Sequence, residues 1–129
     1  MIAEILEDEA VIIADGSALR AAAAAGLRGT RVIVPDVVLF EARRRGFEDA
    51  DALVERIGAT VFSTEDLDEL LQIRKLKPAY RGDGMIISAI TAAATSLGDA
   101  PTVLLYDPAE IRDSRYYVSG SKSLRVVEI

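Results

Sequence analysis

Three short runs constrain this chain more than anything else in it: VIIA at residues 11–14, RVIV at 31–34 and VLLY at 103–106 are apolar at almost every position instead of at alternate ones. A strand that shows one face to water alternates polar and apolar residues, whereas a strand covered on both faces reads as a continuous apolar run. Such runs require helices on both faces of a sheet, and the intervening segments have helical composition. SALRAAAAA fills 17–25 and stops at Gly26. VVLFEARRRG follows Pro35 and Asp36, with Asp36 in the position of an N-cap and three arginines complementing the helix dipole before Gly46. A further helix is expected over 47–57, ended by Gly58.

The rest of the chain keeps the alternation. A third strand is expected at 60–62, followed by an acidic-first helix, EDLDELLQIRK, capped by Ser63 or Thr64 and closed before Pro78. Asp83 opens a long helix that stops at Gly98, 102–106 is the fourth strand, and SLRVVEI holds a fifth. Strand and helix alternating throughout predict a single three-layer α/β/α domain, spanning 1–129, around a mostly parallel central sheet. A length of 129 residues suits one domain with a real core, and no linker or repeat divides it.

Composition then narrows the chemistry. With no cysteine and no histidine, disulfides, thiolate and imidazole zinc sites, cysteine nucleophiles and the Ser-His-Asp triad are all excluded. Any metal must be held by oxygen, which selects a hard cation such as Mg²⁺ or Mn²⁺. The net charge of −6 weighs against general nucleic-acid binding, although local patches override so blunt a measure. The longest charge-free stretch, 84–98, is interrupted by Ser88, Thr91, Thr95 and Ser96 and reads as a core helix, not a membrane span. The acidic N-terminus carries no basic leader, so a cytoplasmic protein is expected.

Two of the apolar runs end in a carboxylate: VIIAD in Asp15 and VLLYD in Asp107. In an open parallel sheet, ligands bind beyond the carboxyl ends of the strands, so these two acids are expected to face one crevice. Glu41, one turn into the helix after RVIV, and Asp83, at the start of the helix feeding VLLY, fit the same rim. Several carboxylates in one cleft repel unless a cation sits among them. Singly, each acid also has a structural reading. Asp15 and Asp83 suit helix caps, Asp107 suits a turn before Pro108, and Glu41 suits a partner for Arg45 four residues on. Together, their placement favours a shared metal site.

The ordered set VIIADGS, IVPDVVLFEA, RGDGMIISAITAAA and TVLLYD resembles the PIN domain, the metal-dependent nuclease fold of many bacterial and archaeal toxins of the VapC type. The resemblance runs from about Val11 to the end of the chain. It implies a PIN-like fold in which Asp15, Glu41, Asp83 and Asp107 are catalytic, hold one or two Mg²⁺ or Mn²⁺ ions, and hydrolyse RNA phosphodiester bonds with a water as nucleophile. It further implies a homodimer and, in a toxin-antitoxin pair, an antitoxin protein that blocks the cleft. Where the family carries threonine or asparagine before its last acid, this chain has Tyr106, and Pro108, Ala109 and Glu110 follow Asp107. Ser17, Arg81 and Glu110 are candidates for outer-shell or substrate contacts. Ser17 is also a candidate helix cap, and Arg81 lies two residues from Asp83, where it would steer an RNA backbone.

Three rivals stand beside this reading. A PIN-fold binding or regulatory module would bind metal without cleaving RNA. A receiver-type phosphoacceptor needs an acidic pair near the first strand and a lysine after a late one, but Asp15 stands alone and no lysine follows VLLYD until Lys122. A dinucleotide-binding domain needs GxGxxG, which DGSAL lacks.

Overall fold

The computed structural model describes residues 2–63, 93, 97, 100–110 and 124–129. After a 3₁₀ turn at Ile2–Glu4, the chain forms β1 (Ala10–Ile13), α1 (Gly16–Ala24), β2 (Val32–Pro35), α2 (Asp36–Arg44), α3 (Ala50–Ile57), β3 (Thr60–Phe62), β4 (Thr102–Tyr106) and β5 (Leu124–Glu128). The five strands make one sheet in the order β3-β2-β1-β4-β5, and every pairing is parallel. This is the α/β architecture that the continuous apolar runs require.

Burial follows the strand order. In β1 and β4, the central strands, Val11, Ile12, Ile13, Val103, Leu104 and Leu105 are all 0 % exposed. The edge strand β3 leaves Thr60 and Val61 exposed. α1, α2 and α3 pack against one another as a helical layer, with α1 reaching β4 and α2 reaching β2. On α1 the buried face is built from Gly16, Ala18, Leu19, Ala22 and Ala23, and all but Leu19 are small enough to let the helix approach closely. Ala93, helical and 1 % exposed, belongs to the same core cluster.

Local sequence signals explain most of the boundaries. α1 begins one residue before the expected 17, because its N-cap is Asp15 and not Ser17. α2 starts at Asp36 itself with Pro35 in the cap position, which corrects the expectation that Asp36 is the N-cap. Proline fixes φ near −65° and lacks an N–H, so it ends β2 and presets the first helical turn. α3 begins at Ala50 and not at 47, because Phe47 is spent on a different contact described below. The helix expected after Ser63 and most of the one opened by Asp83 lie outside the described residues, as do Asp83 and Arg81. Among the described residues no helix is long and apolar enough to cross a membrane.

Candidate functional site

The chain leaves β1, builds outward to β2 and β3, and then returns to the other side of β1 as β4. The carboxyl ends of β1 and β4 therefore flank the point where strand order reverses, the place where a parallel sheet opens a crevice. Ile13 is paired in register with Leu105, so Asp15 and Asp107 emerge at the same level.

Asp15 is held by backbone on two sides. Its Oδ1 accepts the Ala18 N–H at 2.7 Å, the ordinary N-cap bond of α1. Its Oδ2 accepts the Asp107 N–H, also at 2.7 Å, which ties the end of β1 to the end of β4. The residue is 5 % exposed. Burial pushes its carboxyl up to about 6, the two N–H donors pull it back, and the negative charges of Glu110 and Asp107 add to the rise.

Asp107 opens a tight turn. Its carbonyl accepts the Glu110 N–H at 3.0 Å and its Oδ1 accepts the Ala109 N–H at 2.9 Å. Pro108 supplies the φ wanted at the second turn position. The structural reading of Asp107 as a turn former is therefore realised, and the turn has a further result: it folds Glu110 back over the N-terminus of α1. There the Ser17 hydroxyl donates to Glu110 Oε1 at 2.6 Å. On the other side, the Arg45 guanidinium lies 3.6 Å from Glu110 Oε2.

Arg45 arrives there by way of the α2–α3 corner. The chain reverses at Gly46, where φ is +88°, a conformation that glycine adopts at little cost. Phe47 then packs onto the start of α1 so closely that a Cβ at Gly16 would lie 2.2 Å from the ring. The Arg20 guanidinium stacks over that ring, 3.9 Å from its centroid, and pairs with Asp49 at 3.0 Å. Gly16 is thus required by a neighbour, in the sequence position beside Asp15.

Of the expected site residues, the structure brings Asp15, Asp107, Ser17 and Glu110 together. Glu41 is engaged on its own helix: its Oε2 accepts from Arg44 at 2.8 and 3.3 Å. The expected partner at four residues, Arg45, is drawn instead to Glu110. Among the described residues no three acids stand close enough to cage a metal ion. Sequence reasoning missed Phe47 as part of the site and missed Glu110 as the partner of Arg45, and nothing local to EARRRGFED distinguishes Arg45 from its two neighbours. Comparison with protein-family models, with curated proteins and with solved structures finds no match.

Proposed function

We propose that the crevice between β1 and β4 is a divalent-cation site and that the protein is a metal-dependent ribonuclease of PIN type. The observation that carries this is Asp15: a carboxylate 5 % exposed, fixed by two N–H donors, whose neighbouring charges are other carboxylates. A buried anion among like charges is costly, and a hard cation with oxygen ligands offsets that cost. The donor set, oxygen without nitrogen or sulfur, suits Mg²⁺ or Mn²⁺. Asp15 and Asp107 would hold the ion, with Asp83 and Glu41 joining them on the sequence resemblance and Glu110 as an outer acceptor fixed by Ser17. Such an ion supplies Lewis-acid activation of water and charge stabilisation at phosphate.

The chain's own residues do the positioning. The two N–H bonds to Asp15 fix both of its oxygens, and the turn at Asp107–Glu110 sets the second and third carboxylates relative to it. A dinucleotide reading fits poorly, because the N-terminus of α1 already carries the Asp15 carboxylate where a pyrophosphate would sit. The partners in this reading are RNA, an antitoxin protein and a second copy of the chain.

One observation favours the second reading, a binding module without turnover: Glu41 is tied to Arg44. The test is cleavage of a mixed pool of structured and single-stranded RNAs with Mn²⁺ and with EDTA, alongside Asp15→Asn. Metal-dependent cleavage that disappears in the variant is expected. Mn²⁺ binding without cleavage would replace the nuclease with the binding module, and absence of Mn²⁺ binding would end both.

A further inference from the structure

Asp15 and Asp107 are joined at the ends of β1 and β4, Glu110 folds back onto Ser17 beside them, and among the described residues the cation in contact with this group is Arg45, 3.6 Å from Glu110. The backbone that carries it is held by contacts other than Glu110. The α2–α3 corner is fixed by Phe47 against Gly16, by Arg20 over the ring, and by the Arg20–Asp49 pair. Arg45 is therefore delivered to the rim by contacts made elsewhere. The ion pair itself is weak: it spans 3.6 Å without a hydrogen bond, and the Arg45 side chain is 41 % exposed. A weak, half-exposed pair is one that another cation can displace.

We propose that Arg45 is a resident counter-ion of the crevice, which a divalent cation displaces on binding. This rests on the metal site proposed above and adds a competition to it. The Arg45 charge lowers the negative potential in the metal-free protein, so it holds down the affinity for the ion. Glu110 is the group through which the competition acts, since it alone of the three carboxylates is in ion-pair contact with Arg45.

The sign of the effect separates this from a structural role. If Arg45 merely braced the corner, its loss would loosen the site and weaken ion binding; if it competes, its loss tightens binding. Calorimetric titration of Mn²⁺ into the full chain is expected to show Arg45→Gln binding up to about fivefold more tightly than wild type, the ceiling for an exposed pair of about 1 kcal/mol. Arg45→Lys, which keeps the charge, is expected to match wild type and guards against a folding artefact. In a Glu110→Gln background, Arg45→Gln is expected to change nothing further. Wild type that binds Mn²⁺ with Arg45→Gln equal or weaker overturns the competition alone. Failure of every form to bind Mn²⁺ overturns the competition together with the metal site.

Discussion

The two ends of the sheet each hold a carboxylate with the same low exposure and treat it in opposite ways. At the carboxyl end, Asp15 is 5 % exposed and its carboxyl is pushed up to about 6. At the amino end, Glu9 is also 5 % exposed, yet its carboxyl is held below the usual glutamate range. Desolvation and company both differ: burial is the largest influence on Asp15, whereas at Glu9 it comes second to the Arg125 hydrogen bond. Glu9 receives a hydrogen bond from the Arg125 guanidinium, which also bonds the Glu4 carbonyl, and the Leu6 N–H. Arg31 adds its charge while donating to the carbonyls of Leu6 and Glu9. Asp15 has two N–H donors and two other acids. Low exposure by itself therefore does not decide the state of a carboxylate; the balance of desolvation against its partners does. One end is a closed structural clamp, and at the other, among the described residues, Arg45 on Glu110 is the cation in contact with the acids.

The largest break in this comparison is chemical. On the proposed nuclease reading, metal-dependent RNA cleavage is expected to fall to background in Asp15→Asn, while Glu9→Gln, at the clamped end, is expected to cleave as wild type does. Equal loss in both would mean that the two ends differ only in stability.

Next in size is the pH response. The folded value of Asp15 lies above its ordinary 3.8, so its contribution to stability is complete below about pH 4 and is lost as pH rises through about 6. The full penalty is about 3 kcal/mol, of which about 2 kcal/mol falls between pH 4.5 and 8. Glu9 works in the opposite sense: its folded value lies below 4.5, so its contribution is present above that pH and lost on acidification. Urea unfolding in EDTA is expected to show wild type losing stability from pH 4.5 to 8 and Asp15→Asn losing much less. Saturating Mn²⁺ is expected to flatten the wild-type curve.

At the clamped end, Arg125→Ala leaves Glu9 buried with its strongest partner gone. A cost of about 2 kcal/mol is expected by urea unfolding at pH 7, below that of breaking a fully buried pair because the Arg125 side chain is 40 % exposed. A cost near zero would make the clamp an ordinary surface pair. The smallest effect is expected from Ser17→Ala, about 1 kcal/mol for one hydrogen bond to a partly buried carboxylate. It would be read in the same unfolding experiment, and a gain in stability would show that the bond confines Glu110 against repulsion.

Much of the framework was legible in the sequence because it is local. The strands at Val32–Pro35, Thr60–Phe62 and Thr102–Tyr106 announce themselves by continuous or β-branched apolar runs, and Gly26, Gly46 and Gly58 stand where the helices stop. The Asp107–Pro108 turn and the Asp15 cap are likewise decided within four residues. The partners of the charged groups were not legible in this way. Periodicity on a helix offers Glu41 both Arg44 and Arg45, and choosing between them depends on what lies beyond the helix end.

By itself, then, the sequence determined a parallel α/β sheet with acids at two strand ends, because burial on both faces and turn chemistry are written into neighbouring residues. Only the tertiary structure decided that β4 returns to lie beside β1, which joins Ser17 to Glu110 across 93 positions and sends Arg45 to the same carboxylate. Contacts of that separation form after the strands choose their neighbours, and that choice is governed by the packing of the whole core, with no short segment carrying it.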